Sequence, residues 1–560
     1  MRPWLAHYDE DVRHTLAPYP ERTLLDYLAE HARDHPDDPG LVFEGKRISW
    51  RELERLSDAF AAALTELGVA PGDRVALILP NCPQFLIAEF GAWKVGAIVA
   101  PLNPVYTEQE LATLLASSGA RVAVVLTRYY ERLKSYQART AVTTVIATNI
   151  KEYLKPLTRL LFTAFKEKEE GDRVELRDGD LAFADLLDRD DVPRPAVHPQ
   201  PDDDATILPS GGTTGIPKGV VGSHRNLVLA GLQLYAWLDS ALQEGSDVLM
   251  VPLPLFHVYG LIGVQSLSFV GRMPMLLVAN PRDIKAMLNT IAQEEPSFFC
   301  TVPALLNAML NHPSVVSGKA SFASLKICFS GGAPLMAETI RRYQALTGGR
   351  LIEGYSLTEA QMAAIANPVR GPNKVGSIGM PLPDVDVLVV EAEEGATEVP
   401  QGEVGEIIIR APQRMRGYWE NDAETKLVMR RGPDGETWLY TGDLGYLDPD
   451  GYVFLVDRKK DLIKVSGYQV WPREIEEVLS THPAVLEVGV AAMPDPTKGE
   501  VPKAWVVQRA GTRAVPDELK AYCRERLAPY KVPSQIVIVP ELPKSGAGKI
   551  LRRKLKELSS

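Results

Sequence analysis

Apolar positions along the first third of the chain alternate between two rhythms, and the alternation predicts an architecture. RVALIL (Arg74 to Leu79) is a short, nearly continuous apolar run that predicts a buried strand, PQFLIAEFGAWKVG predicts a helix, and AIVAPL predicts the next strand. Thr107 and Glu110 in TEQELATLLASSG have the spacing of a capping box, so a helix should begin there and lead into the strand RVAVVL beginning at Arg121. Strand, helix and strand in repetition imply a largely parallel sheet. Farther on, VDVLVVE, GEIIIR and GYVFLVD, each bounded by glycine or acidic turn residues, predict a β-rich subdomain. The charged run DRKKDLIKVSG (Asp457 to Gly467) marks a boundary. Beyond it, Trp471 and Pro472 open a helix with Ile475, Val478 and Leu479 on one face, followed by alternating segments such as KAWVVQ. The expected fold is α/β: a large N-terminal domain over 1–456, with parallel-rich sheets, helices and a β-rich subdomain, and a small mobile α+β domain over 457–560.

Composition narrows the classes of function. With 560 residues, 45% of them hydrophobic and 24% charged, the chain can bury a substantial core, and disorder or a fibrous repeat does not fit. The formal net charge of -11 opposes a generic polyanion binder, so nucleic acid is not an expected partner. Cys82, Cys300, Cys328 and Cys523 form no CxxC pair, which removes metal-clip and redox motifs and suits a reducing cytosol. The opening MRPWLAHYDEDVRH meets acidic residues before any apolar stretch develops, unlike a secretory signal. Val248 to Gly271 lacks Asp, Glu, Lys and Arg, but Pro252, Pro254, His257 and several glycines interrupt it, so buried interior is expected ahead of a membrane span.

The strongest chemical signal is SGGTTGIPKG, Ser210 to Gly219. Gly211, Gly212 and Gly215 let backbone N–H groups converge on phosphate, Ser210, Thr213 and Thr214 add hydroxyls, and Lys218 adds positive charge. It is not a Walker A loop, because Pro217 and Gly219 flank Lys218, and Gly548-Lys549 fails the same test with Ile550 following.

SGGTTGIPKG resembles the phosphate-binding signature of the adenylate-forming superfamily of acyl-CoA synthetases, luciferases and peptide-synthetase adenylation domains. The resemblance recurs in order through PLPLFHVYG, SGGAPL, EGYSLTE, YTGDLG, DRKKDLIKVSGYQVWPREIE and LPKSGAGKILRR. LNPVYTEQEL and the opening PWLAHYDEDV are similar to bacterial long-chain fatty-acid CoA ligases in particular. The resemblance implies ATP, Mg2+ and coenzyme A as cofactor and co-substrates, and a fatty acid as substrate.

Each motif has a physical reading beside its likeness. In EGYSLTE, Tyr355 offers an aromatic face to a purine, Thr358 a hydroxyl to the α-phosphate, and Glu359 a hard oxygen ligand to magnesium, with Thr213 as the other expected metal contact. Ser356 and Glu359 also match a helix capping box, a purely structural alternative. Asp443 in YTGDLG suits both ribose hydroxyls, and Arg458 a second ribose or phosphate contact. Gly331, Gly332 and Ala333 in SGGAPL would let backbone approach adenine closely, or simply make a tight strand-to-helix turn. By resemblance, His257 stands at the edge of an acyl pocket lined by Tyr259, Leu261 and Val264, and the lack of an acidic residue in FHVYG weighs against an amino-acid substrate. The family places its adenylation lysine at Lys549, its hinge at Lys460, and the face used for thioester formation at Lys464, Gly467 and Gln469.

One feature lies outside the resemblance. YLKPLTRLLFTAFKEKEE (153–170) sets Leu154, Leu157, Leu160, Leu161, Ala164 and Phe165 at helical spacing among Lys155, Arg159, Lys166 and Lys168. It suits either peripheral contact with an anionic membrane, on the inner face for a cytoplasmic protein, or docking onto its own domain. A homodimer is an assembly state that the sequence leaves open.

Overall fold

In a computed structural model the chain is described over residues 2–189, 197–210, 217–333, 335, 337–466, 468–513, 515–544 and 550–558. Two large sheets dominate. The eight-stranded one runs Gly417–Tyr418, Lys218–Ser223, Asp204–Ser210, Ile98–Pro101, Arg74–Ile78, Val122–Leu126, Thr144–Thr148, Leu181–Ala182. Its strands from Asp204–Ser210 to Leu181–Ala182 pair in parallel, as the alternating pattern predicts. All five residues of Val122–Leu126 are buried, and so is every residue of the helix Pro83–Lys94. A strand covered on both faces and a helix buried all round belong to the interior layers of an α/β stack. The helix Glu108–Ser118 begins with the predicted reciprocal cap, Thr107 N–H donating to Glu110 Oε2 at 2.8 Å, and stops at Gly119, where φ is 64°.

The nine-stranded sheet contains Phe298–Thr301, Ile327–Ser330 and Arg350–Leu357, paired in parallel, and then Met362–Ala366, antiparallel to Arg350–Leu357. The capping-box alternative for Ser356 and Glu359 is therefore not used. Arg350–Leu357 ends in a turn, closed by Gln361 N–H to the Thr358 carbonyl at 3.0 Å, and returns as a strand whose residues are all buried. Apolar neighbours on both faces favour the strand over the helix.

The β-rich subdomain is an antiparallel sheet of Asp386–Val390, Gly405–Arg410, Thr437–Leu447 and Met429–Arg431, with Val453–Arg458 paired to Thr437–Leu447. From Ile463 onward a further five-stranded sheet and the helix Pro472–Ser480 have their own apolar core, in which Ile475 and Leu479 are buried. The stretch 248–271 is interior: strand Leu249–Val251, a buried π-helix Tyr259–Gln265 and the helix Ser266–Val270. Among the described residues no helix is long and apolar enough to cross a membrane. All four cysteines are buried thiols.

Candidate functional site

Three chain reversals at strand ends bring the candidate residues together. Ser210 closes one strand and Lys218 opens the next, and the two are register partners across the hairpin. Gly211, Gly212, Thr213, Thr214 and Gly215, which complete the expected phosphate loop, lie outside the described residues. Lys218 forms an ion pair with Glu424 and its ammonium lies 5.0 Å from the centre of the Tyr418 ring. The Tyr418 hydroxyl in turn donates to Glu359 Oε1 at 2.9 Å. A chain of contacts thus joins the base of the expected phosphate loop to the carboxylate at the Thr358-Glu359 turn. Burial, reinforced by the Glu359 charge, pushes the Tyr418 phenol above the ordinary tyrosine range, so it remains a donor. Tyr418 reaches this position because Gly417–Tyr418 pairs with Val220 and Val221 of the strand that Lys218 opens.

A second cluster gathers around Asp443, which is buried with 4% exposure. Its carboxylate accepts the Tyr355 hydroxyl at 2.6 Å and faces Arg458 Nε at 2.9 Å, and Asp443 and Arg458 are cross-strand partners. The Asp443 charge holds the Arg458 guanidinium firmly protonated, while burial, and then Asp443, raises the Tyr355 phenol well above its usual range. The ring expected to face a purine therefore also tethers the residue expected to hold ribose.

Gly331, Gly332 and Ala333 follow the strand Ile327–Ser330. Gly332 has φ of 80°, a conformation side chains resist, and a Cβ on Gly331 would stand 3.2 Å from the Gly354 carbonyl and 3.4 Å from the Tyr259 ring. This turn is thus built for close backbone approach. Behind it, Glu353 accepts the Leu335 N–H at 3.2 Å, and burial pushes its carboxyl up to about 7 against the pull of Arg473 from beyond the charged run.

Tyr259 connects this turn to the apolar wall: its hydroxyl donates to the Phe329 carbonyl at 2.7 Å. It begins the π-helix in which Leu261 and Val264 are buried, a helix type frequent at functional sites. The partly exposed His257 stands just before it, with its Nδ1 accepting the Tyr259 N–H at 3.3 Å. Met362, at φ 109°, packs its thioether where a Cβ of Gly263 would come within 2.6 Å. At the far end Gln265 Nε2 donates at 2.6 Å to Glu89, which is wholly buried and whose carboxyl burial pushes up to about 8.

The last group surrounds the charged run. Asp457 is buried and accepts the Arg473 N–H at 2.8 Å. Arg552 joins Asp457 at 2.8 Å, Asp461 at 3.0 Å and Glu476 at 2.7 Å. Lys460 is exposed on the short turn Lys459–Asp461. Lys464 and Gln469 are register partners in the hairpin of Ile463–Val465 and Tyr468–Val470, and Gly467 lies outside the described residues. So does Lys549, but Lys544 and Ile550, the described residues nearest to it, are bridge partners, and Lys544 pairs with Glu487 at 2.6 Å.

Sequence reasoning missed Tyr418, Glu424, Glu353, Glu89 and Arg552. Tyr418 and Glu424 sit in RGYWENDAET, which carries no phosphate or metal spacing, and only strand pairing reveals their position. Glu89 did carry a signal, as an acidic residue within an otherwise apolar helix.

A glycine-bearing hairpin base with a paired lysine, a buried carboxylate among tyrosine and arginine, and a backbone turn stripped of side chains define a nucleotide-binding α/β enzyme. Residues 28–419 match the family model "AMP-binding enzyme" and residues 474–549 the "AMP-binding enzyme C-terminal domain", and the chain belongs to this family. It is 37% identical to the "Long-chain-fatty-acid--CoA ligase" of Bacillus subtilis (strain 168), covering 100% of this chain and 98% of that protein. It is 34% identical to "4-coumarate--CoA ligase 2" of Oryza sativa subsp. japonica over 95% and 92% of the two chains. Among solved structures, ATP-bound MatB from Rhodopseudomonas palustris superposes with a TM-score of 0.82 at 27% identity, covering 95% of this chain and 98% of that one.

Proposed function

We propose that the protein is a long-chain fatty acid-CoA ligase, which activates a fatty acid as its acyl adenylate and transfers the acyl group to coenzyme A. The observation that carries this reading is the contact of the apolar π-helix Tyr259–Gln265 with the Gly331 turn through Tyr259, which sets an acyl-compatible wall beside a nucleotide-compatible backbone. The full-length similarity to the Bacillus subtilis ligase supports it.

A free carboxylate is a poor acylating agent because oxide is a poor leaving group. Attack of its oxygen on the α-phosphorus of ATP expels pyrophosphate and creates a mixed anhydride; attack of the CoA thiolate on the acyl carbon then expels AMP. Neither step requires a protein nucleophile, so the chain's work is alignment and charge neutralisation. Ser210, Lys218 and the loop Gly211 to Gly215 hold the β- and γ-phosphates. Gly331, Gly332, Ala333 and Tyr355 flank adenine, Asp443 and Arg458 hold the ribose, and Thr358 meets the α-phosphate. Glu359, with Thr213, would hold a magnesium ion, which would neutralise charge on the polyphosphate.

His257, Tyr259, Leu261 and Val264 border the acyl chain. Lys549 bridges carboxylate and α-phosphate in the first step, and Lys464, Gly467 and Gln469 present the thioester face in the second, after the domain beyond Asp457 turns about Lys460. The same reading includes peripheral contact with a membrane through 153–170 and leaves a homodimer compatible with it.

The rice relative favours one second reading, an aromatic acid. Comparing kcat/KM for acetate, octanoate, palmitate and 4-coumarate at fixed CoA separates them. Each buried methylene is worth about 0.8 kcal/mol, so palmitate and octanoate should far exceed acetate. A best rate with 4-coumarate or acetate overturns the fatty-acid reading.

A further inference from the structure

Two buried polar groups beside the candidate site lack partners, and they complement each other. Gln361 follows the Thr358-Glu359 turn and has no exposure. Its side-chain Nε2 and its backbone N–H both donate to the Thr358 carbonyl, at 3.2 Å and 3.0 Å, but among the described residues its Oε1 has no hydrogen-bond partner. Thr206, equally buried, stands in the strand Asp204–Ser210, and its hydroxyl also has no partner among the described residues. The amide oxygen is an acceptor and the hydroxyl a donor. Leaving both unpaired in the interior is costly, and folded proteins keep few such groups.

Both oxygens lie against Gly222. A Cβ there would come within 2.2 Å of Gln361 Oε1 and 2.9 Å of Thr206 Oγ1, so a side chain at this position would displace the glutamine amide. Thr206 and Gly222 are register partners, as are Ser210 and Lys218 farther along the same two strands. Alternate residues of a strand share a face, so Gln361 enters against the face of the hairpin that carries Ser210 and Lys218. The backbone is bent to bring it there: Gln361 has φ of 53° and Met362 of 109°, conformations that persist in residues with side chains only where the surroundings hold them.

Gln361 thus bridges two elements that carry different parts of the site. The Thr358-Glu359 turn is expected to meet the α-phosphate and magnesium, and the hairpin to meet the β- and γ-phosphates. A polyphosphate held by both favours the arrangement in which they stand closer, and that arrangement lets the orphan donor and acceptor pair.

We propose, resting on the reading of this site as one for ATP, that Gln361 and Thr206 are positioning residues for the polyphosphate: as MgATP engages turn and hairpin, the Thr206 hydroxyl closes onto Gln361 Oε1 and fixes one against the other. The test is equilibrium binding of MgATP, without acid or CoA, by calorimetric titration of the full chain and of Thr206→Val, Gln361→Met and the double variant. Thr206→Val should weaken binding by about tenfold, the worth of one interior hydrogen bond, and should have no further effect once Gln361→Met is present. Thr206→Ser, which keeps the hydroxyl, should restore the affinity lost in Thr206→Val. Unliganded Thr206→Val should melt no lower than wild type, because a methyl has replaced a hydroxyl that was unpaired. Unchanged affinity in Thr206→Val, or the same loss in both backgrounds, overturns the proposal; so does a lowered melting temperature with binding intact, the mark of a merely structural role. The expected binding pattern without pyrophosphate release on adding octanoate, palmitate or 4-coumarate would support the positioning role and overturn the ligase reading. A wild-type chain that does not bind MgATP overturns both.

Discussion

Glu89 offers a test of how the interior is built, because its carboxyl lies where an ion has no solvation. It has no exposure, it accepts from Gln265 Nε2, and among the described residues Glu89 Oε1 and Gln265 Oε1 have no hydrogen-bond partner. A proton on the carboxyl relieves that arrangement and an ionised carboxylate aggravates it. Burial raises Glu89 from 4.5 to about 8, so between those values the native state holds a proton that the unfolded chain has released. Stability contributed by the neutral group is then present below 4.5 and is lost as pH rises toward 8. At pH 7 the loss spans about 2.5 pH units at roughly 1.4 kcal/mol each, or about 3 kcal/mol.

Glu89→Gln keeps the shape and an acceptor for Gln265 but cannot ionise. For a folding unit of a few hundred residues, unfolding entropy of about 2.1 cal/mol/K per residue turns that loss into a melting-temperature change of roughly 4 °C. Calorimetric scans from pH 5 to 8.5 should show the wild-type Tm falling relative to Glu89→Gln by that amount, with the curves converging at pH 5. Parallel profiles across the whole range would refute the reasoning, since they would mean that Glu89 holds the same charge folded and unfolded.

Other outcomes follow from the site. Tyr418→Phe removes the donor to Glu359 while keeping the ring beneath Lys218, and should cut kcat/KM for ATP by about tenfold with an altered magnesium dependence, read in titrations of Mg2+ at fixed ATP. Asp443→Asn removes the charge opposite Arg458 and should raise the KM for ATP by roughly ten- to a hundredfold, measured by initial rates, with less effect on the KM for the acid. Arg552→Met leaves Asp457, Asp461 and Glu476 without their cation and should destabilise the region after the charged run by about 3 kcal/mol, seen as faster limited proteolysis there.

The fold was legible where burial follows sequence rhythm. The strand Arg74–Ile78, the helix Pro83–Lys94 and the capped helix Glu108–Ser118 fall where the pattern predicts them, because each is fixed by local burial or capping. The turn at Thr358 was less legible: Ser356 and Glu359 satisfy a helix rule, yet pairing with Met362–Ala366, a long-range contact, decides the outcome. The same limit applies to the site. Motif residues such as Asp443, Arg458, Tyr355 and Lys218 could be named from the sequence, but the Tyr355–Asp443 contact and the Lys218 partners Tyr418 and Glu424 required the strand pairings that join distant segments. The segment 153–170 shows a further limit, since helical periodicity identifies an apolar face and only the surrounding fold decides which of its leucines remain outside.

That one site performs adenylation and then thioester formation can be tested by a single-turnover experiment. Enzyme in excess is mixed with ATP, magnesium and palmitate without CoA, the products are quantified, and CoA is then added. Stoichiometric pyrophosphate and enzyme-bound palmitoyl-AMP are expected before CoA, and palmitoyl-CoA with AMP afterwards. Release of ADP and inorganic phosphate, or no pyrophosphate until CoA is present, would contradict it.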